Sequence, residues 1–520
     1  MIFNFEKFIR KNKKIVFKKK SDNHVIIVDR GKYGAALLGS LIASAINHKY
    51  EYNVKVLTSK NKDSQIINFY KSFGINDFIY GANLNTFMKK IHIYFSASIN
   101  FIKLILIITF NSMDWFIDKF EIKGIKVGDL IYDTFIRYKR RYIKPKKNIY
   151  FFFLIYRTIY KVINLLNLVK TINIKCVIIG TNTYANNDGI FLRICVKKKI
   201  KVLEASSFDA NNALLEYDSN DLKYGQRNIY YDEIQKKKLK NIKPTLNFLN
   251  NFIKKRFENK VKLYHTNNID VKLANKTKVN LTRKDFLKKI AEDKTYKKII
   301  LFAPHAFSDA PHGGSGYDMC FRDYYSHFTE TIENIVKIKN KDVLWIVRPH
   351  PLSKVYGEKN IVEDYLAKYN KKNLILCPKG LSTKNLIRIC DTVITMHGNI
   401  GLEFAAIGKM PIICGHAPYF NFGISLESNS KKKYFNNLSK AHKFNYKLSK
   451  KKELLAKRIL YYIERVIPFK DMKGSQNFQD LIVDIGKNKR DIVWKKLSDR
   501  LKKNGGFLKD RFYLDCLKKL

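Results

Sequence analysis

A chain of 520 residues is too long for one hydrophobic core, so its length predicts two domains with appendages. Its 46% hydrophobic and 13% aromatic residues exclude the disordered and low-complexity classes. Lys and Arg number 99 against 45 Asp and Glu, a net charge of +54 that suits nucleic acid or an anionic membrane surface, but no zinc-finger spacing or RNP-like aromatic motif favours nucleic acid.

The opening stretch MIFNFEKFIRKNKKIVFKKK has no continuous apolar core and no small-residue cleavage site, so it does not read as a secretory signal. Residues 24–29 (HVIIVD) predict a strand, the glycines at 31 and 34 a turn, 35–46 a helix and 54–57 a second strand: a first βαβ unit. A third glycine arrives only at Gly39, too late for a dinucleotide fingerprint. Residues 91–110 are the most apolar stretch, but His92, Asn100 and Lys103 interrupt them, which predicts a buried or membrane-surface helix rather than a span. An aromatic-rich helix at 148–170 follows. A second βαβ unit of the same sheet then takes 176–180, 188–198 and 200–203. The Asn- and Lys-rich residues 204–294 read as helices and loops on the rim of this domain, with the boundary at 282–295.

A second sheet starts at 298–303 (KIILFA). The loop 304–317, a helix over 324–338, strands at 343–347 and 373–377, and a short helix at 383–389 lead to 391–423. That last stretch reads strand (392–395), glycine-bearing turn (His397, Gly398, Asn399), helix closed by Gly408, and strand (411–414). Alternation of this kind predicts a parallel, doubly wound sheet. From 431 onward the chain is basic and helical, and 491–503 is amphipathic with Ile492, Trp494 and Leu497 on one side. The seven cysteines are scattered, without CxxC spacing, and read as reduced core residues of a cytoplasmic protein.

Six of the eleven histidines, His305, His312, His327, His350, His397 and His416, fall between 305 and 416, under a quarter of the chain. His327 and His416 read as satisfied packing residues. Arg348 and His350 each precede a proline, which holds them extended as they leave the carboxyl end of a strand, where open α/β sheets bind ligands. A guanidinium fork and an imidazole on a stiff backbone suit a phosphate or pyrophosphate. Glu403, one turn into its helix, is placed to accept from ribose hydroxyls or simply to favour the helix dipole, and Lys409 reads as a C-terminal helix charge. In APHAFSDAPHGGSGYD, His305, Asp309 and His312 do not fit common zinc spacing, and a base, His305 or Asp309, on a glycine-hinged loop is the better reading.

The order APH…RD, then RPHP, then HGNIGLEFAAIGKMPII resembles the C-terminal half of GT-B glycosyltransferases of bacterial surface polysaccharide synthesis. The similarity is to capsule polysaccharide biosynthesis proteins of the Kdo-transferase type and to CDP-glycerol glycerophosphotransferases, and it covers residues 298–423. Two departures, His305 for an Ala-Pro-Thr-like strand end and His397-Gly398-Asn399 for a Ser-rich turn, leave the donor open.

The expected fold is α/β: two Rossmann-like, doubly wound domains at 1–290 (acceptor) and 291–430 (nucleotide donor), with a basic helical C-terminal extension at 431–520. The resemblance implies a nucleotide-sugar-dependent transferase that moves a sugar or polyol unit to a capsule, lipopolysaccharide or teichoic-acid-type polymer. Its donor-binding set would be Arg348, His350, Ser353, His397, Gly398, Asn399 and Glu403, and its catalytic set His305, Asp309 and His350. No cofactor or metal is expected, because no Asp-x-Asp lies near the donor turn. Expected partners are the nucleotide-activated donor, a lipid-linked saccharide acceptor and the inner face of the cell membrane, with no nucleic acid. A nucleotide-sugar epimerase and a non-enzymatic nucleic-acid-binding protein are the rival readings.

Overall fold

In the computed structural model the described residues are 8–10, 12, 14–59, 64–80, 87–138, 142–180, 183–204, 215–217, 244–258, 282–290, 296–313, 319–466 and 490–520. The chain forms two compact units: Met1–Tyr132 with Lys147–Gln226 and Arg465–Leu520, and Asp133–Lys146 with Arg227–Glu464.

The first unit is built on β1 (His24–Val28), α1 (Tyr33–Tyr50), β2 (Asn53–Thr58), α2 (Gln65–Ser72) and β3 (Asp77–Tyr80). Then come α3 (Phe87–Phe110), α4 (Met113–Lys119), the hairpin β4 (Glu121–Ile122) and β5 (Ile125–Lys126), and α5 (Gly128–Ile136), whose end passes into the second unit. The chain returns with α6 (Ile149–Thr171), β6 (Ile174–Ile179), α7 (Asn187–Lys197), β7 (Lys201–Glu204) and β8 (Leu215–Tyr217). The sheet order is β3-β2-β1-β6-β7-β8, parallel except for the antiparallel β7–β8 pair. Both expected βαβ units therefore share this sheet, with Val25 opposite Val54 on one side and Cys176 on the other.

Gly39 serves packing: a Cβ there would stand 2.9 Å from Ile27 Cγ2, so its absence lets α1 close onto β1. At the carboxyl edge Arg30 donates to the Gly180 carbonyl (2.9 Å), and the Gly180 N–H donates to Asp188 (3.1 Å). Burial raises the Asp188 carboxyl to about 6, against the opposing pull of Arg30.

The second unit takes α8 (Leu246–Phe257), α9 (Arg283–Ile290), β9 (Lys298–Phe302), α10 (Tyr324–Lys337), β10 (Val343–Val347), α11 (Ile361–Leu366) and β11 (Leu374–Leu376). It continues through α12 (Thr383–Ile389), β12 (Thr392–Thr395), α13 (Asn399–Ala405), β13 (Ile412–Ile413), β14 (Leu426–Glu427), α14 (Lys431–Ser439) and α15 (Lys450–Tyr461). All five strand pairings are parallel in the order β11-β10-β9-β12-β13-β14. Strands β9, β10 and β12 have nearly every residue buried, as a sheet covered on both faces requires. Two Rossmann-like, doubly wound units are thus present.

The division of the chain corrects the expected boundaries. The stretch 431–520 is not one extension: α14 and α15 belong to the second unit, while α16 (Arg490–Asn504) and α17 (Arg511–Lys519) belong to the first. Trp494 and Leu497 are buried in the first unit's core beside Phe507, Phe512 and Tyr513 (the Ile492 side chain lies outside the described residues). The Trp494 ring packs at a tilt 4.7 Å from Phe8 and 5.8 Å from Phe69, and the Tyr513 hydroxyl bonds His48 at 2.5 Å. The physical reason is burial: an aromatic face of this size gains most by completing a core. Helix α8, read as rim of the first domain, lies in the second unit, and most of the rest of 204–294 lies outside the described residues.

Candidate functional site

Numbered from its own first strand, the second unit's sheet runs 3-2-1-4-5-6, so strand order reverses between β9 and β12. Ligands of open α/β sheets bind outside the carboxyl ends at this point. Three segments leave there: Ala303–His305 after β9, Arg348–Pro351 after β10, and Met396–Gly398 after β12. The expected His305, His350 and His397 converge. The His305 ring stacks on Tyr324 at 4.4 Å and 18°, on His350 at 5.6 Å and 12°, and sits 5.2 Å from His397. Tyr324 heads α10, whose start is fixed by a capping box between Asp323 and Ser326.

Hydrogen bonds set the polarity of these rings. The Leu352 N–H donates to His350 Nδ1 at 3.3 Å, which leaves the proton of the neutral ring on Nε2, a donor. The extended Arg-Pro-His-Pro run holds that ring, and Ser353 closes the turn with its N–H on the His350 carbonyl at 2.9 Å. His397 is buried, its Nε2 shares a 3.1 Å bond with the Tyr324 hydroxyl, and its buried Nδ1 has no hydrogen-bond partner among the described residues. Burial, then the neighbouring His305 and His327, pushes the His397 pKa well below the usual histidine range, so the ring stays neutral. Arg348 is buried and donates to Thr383 Oγ1 at 2.9 Å, at the start of α12. Burial lowers the guanidinium pKa from its ordinary value, the mark of a cation kept from water.

The turn after β12 is shaped by Gly398 and Gly401. Gly398 caps α13, its N–H donates to Thr395 Oγ1 (3.3 Å), and its carbonyl accepts from Tyr419 (2.9 Å). Asn399 is exposed on the first turn. With seven residues, α13 is too short for its dipole to hold an anion alone. Glu403 meets a competitor for the expected ribose role: its carboxylate takes a 2.5 Å bond from Arg256 of α8, which also pairs with Glu464 at 2.9 Å. Lys409 serves a neighbour rather than its own helix, donating to the carbonyls of Ile387 and Cys390 at 2.6 Å each and so capping α12.

The loop after β9 is clamped by residues that gave no signal in the sequence. The Ser308 N–H and hydroxyl donate to Glu358 at 2.9 and 3.0 Å, and the Ser308 carbonyl accepts from Arg137 at 3.3 Å. Asp309 faces Arg137 at 3.6 Å. Asp133, one helical turn before Arg137 and with a side chain 0% exposed, accepts from the His312 ring Nδ1 at 2.7 Å and from the His312 N–H at 3.1 Å. Asp129 and Asp133 of α5 and Arg137 just past its end recur every four residues, a spacing that marks one helix face. Their partners lie 64 to 179 residues away, which is why sequence reasoning passed them over. Gly314 to Tyr317 of the expected mobile loop lie outside the described residues. His327 is a core residue as expected, bonded to Tyr434 at 3.2 Å and lowered by burial to about 3, and His416 stacks on Phe420 at 4.4 Å.

One family model, described as "Capsule polysaccharide biosynthesis protein", covers the region that holds this site. Residues 225–462 match that family. The resemblance drawn from residues 298–423 therefore holds over a longer stretch that includes His305, Tyr324, Arg348, His350, His397 and Glu403. No curated protein matches the chain.

Among solved structures, the KpsC beta-Kdo 2,4 transferase of Thermosulfurimonas dismutans is similar at 15% identity and a TM-score of 0.31, over 55% of this chain and 79% of that one. A UDP-GlcNAc 2-epimerase of Methanocaldococcus jannaschii is similar at 13% identity and 0.24, over 85% and 99%. A glycosyltransferase of Rickettsia africae gives 11% and 0.29, over 91% and 100%. Likeness at such scores decides nothing about activity.

Chemically, the arrangement offers two things. One is an imidazole cluster backed by a buried arginine at a sheet switch point, a wall suited to phosphate oxygens. The other is a carboxylate–imidazole pair. An ionised carboxylate can only accept, so Asp133 fixes the Nδ1–H tautomer of His312 and leaves Nε2 as the basic nitrogen. Among the described residues no group of three or more His, Cys, Asp or Glu side chains is placed to hold a metal ion.

Proposed function

We propose that this chain is a glycosyltransferase that moves a sugar unit from a nucleotide-activated donor to a growing surface polysaccharide. The observation that carries the reading is the convergence of His305, His350 and His397 with Arg348 at the switch point, inside the stretch matched by the capsule polysaccharide family. In this reading the Nε2–H of His350 and the Arg348 guanidinium take the donor's phosphate oxygens and stabilise the charge that grows as the glycosidic C–O bond breaks. Ser353, Gly398 and Asn399 shape the turns around that phosphate. Glu403 contributes through Arg256, whose cation it helps to fix, rather than through a ribose.

The base that takes the acceptor hydroxyl's proton is His312, oriented by Asp133, in place of the expected His305 or Asp309. His305 is engaged in the ring stack, and Asp309 is engaged in an ion pair with Arg137. A positioned imidazole contributes on the order of 10² to 10⁴ in rate. Cationic and N–H donors already face the leaving phosphate, so the reaction is proposed to run without a divalent cation.

Thermal stabilisation by CMP, CDP, UDP and GDP identifies the donor nucleotide, because a ligand bound only to the folded state raises its melting point. Arg348→Ala should weaken that nucleotide's binding roughly 10- to 150-fold, the effect of about 1.5–3 kcal/mol from a charged contact. Undiminished affinity would remove the phosphate assignment. Asp133→Asn should lower kcat on the order of a hundredfold with nucleotide affinity unchanged. If Asp133→Asn turns over normally, the base lies elsewhere. Loss of activity in EDTA restored by manganese refutes the metal-free reaction, and donor turnover without acceptor points to an epimerase.

A further inference from the structure

Among the described residues two helices are long and apolar enough to cross a membrane, and they differ in burial. The apolar window of α6 is 50% buried, whereas that of α3, Ile91–Phe110, is only 17% buried. An exposed apolar surface of this size is uncommon on a soluble protein and marks an interaction face.

Six of the exposed apolar side chains of α3 form one line, with Tyr94 and Ile107 off it. Ile91, Phe95, Ile99, Ile102, Leu106 and Phe110 follow one another at steps of four, four, three, four and four, one face of an α-helix, with Phe95, Ile102 and Leu106 about two-thirds exposed and Phe110 83% exposed. Helix α6, against which α3 packs, also exposes Ile149 (89%) and Phe153 (50%). The opposite face of α3 is docked on α6. Ile93, Ala97 and Ile108 are buried, Tyr94 stacks on Tyr160 at 4.7 Å, Ser98 bonds Tyr156 at 3.4 Å, and Lys147 donates to the Ile108 carbonyl at the far end.

Charge identifies what covers the patch. Neither α3 nor the segment 147–171 holds a single Asp or Glu, while Lys103 and Arg157 are exposed on them, Arg157 over the Phe153 ring at 5.6 Å. An apolar stripe on helices whose only charges are cations, with Asp114 and Asp118 beyond its end on α4, complements an anionic lipid surface, and the chain's net charge of +54 would repel a second copy. We propose that α3 lies in the plane of an anionic bilayer, its stripe sunk to the headgroup–acyl boundary and Lys103 and Arg157 at the phosphates. It does not span: contacts from Ile93 to Ile108 hold it lengthwise against α6, which is itself packed on α7 of the same unit, so a crossing pair would shed that packing. This inference rests on the first unit alone and is independent of the site reading.

The test is co-sedimentation of the full chain with vesicles of pure phosphatidylcholine and of phosphatidylcholine with 30% phosphatidylglycerol. Binding is expected to the anionic vesicles at low salt, to fall at least tenfold at high salt, and to fall at least tenfold again in the triple variant Phe95→Ser, Ile102→Ser, Leu106→Ser. The circular dichroism spectrum and the melting temperature should be the same in that variant, which reports that it is folded. Absence of binding by the unsubstituted chain overturns the proposal, as does unchanged binding by the triple variant. A dimer that the triple variant dissolves, with no lipid binding, would make the stripe a contact between copies. In a Phe110→Trp variant, lipids brominated near the headgroup should quench the tryptophan more than lipids brominated at the chain ends. The reverse order would show a spanning helix.

Discussion

At the scale of single residues, the loop that carries His305 and His312 hangs on one unusual carboxyl. Burial raises Glu358 to about 7, against the lowering effect of its bonds from Ser308 and Phe307, with Asp309 adding to the rise. Between about pH 4.5 and pH 7 the folded state keeps a proton that the unfolded chain has shed. Stability is therefore fullest below pH 4.5 and falls as pH rises through that window, on the order of 3 kcal/mol in all. Glu358→Gln keeps an acceptor for Ser308 and removes the titration. Its urea midpoint should fall less between pH 5 and pH 7.5 than that of the unsubstituted protein. Parallel curves would mean that Glu358 ionises normally.

At the scale of elements, the turn between β12 and α13 is set by a close approach rather than by helix length. A Cβ on Gly401 would stand 2.1 Å from the Tyr419 hydroxyl, and that hydroxyl donates to the Gly398 carbonyl. Gly401→Ala must displace a fully buried tyrosine, at a cost of roughly 1–3 kcal/mol for overpacking, and it releases the backbone of the turn beside His397. We expect a lower melting temperature together with weaker nucleotide binding. Should stability fall while nucleotide affinity stays at its original value, the turn takes no part in the site.

At the scale of the whole molecule, each unit has its own hydrophobic core, and the first is completed only by the last thirty residues of the chain. Trp494 is fully buried there against Phe8, Phe69 and Tyr33. Trp494→Ala should cost about 3–5 kcal/mol. Hydrogen exchange should show the loss in β1 while β9, in the other core, keeps its protection. Equal loss in both strands would mean that the units unfold as one.

Local pattern alone determined much of this protein. The continuous, β-branched apolar runs at 24–28, 298–302, 343–347 and 392–395 became buried parallel strands because such runs have two apolar faces to bury. The paired prolines around His350 fixed an extended exit from β10, so the placing of Arg348 and His350 at the sheet's carboxyl edge was legible before any fold was known. Tertiary structure alone decided what depends on contacts between distant residues. It gave Glu403 to Arg256, brought Asp133 to His312 across 179 positions, and buried Trp494 near the chain's end against Phe8 near its start. Periodicity reports which face of an element is apolar, but pairing is settled by the core that forms around it, and nothing in the local sequence of α5, α8 or α16 encodes the partner.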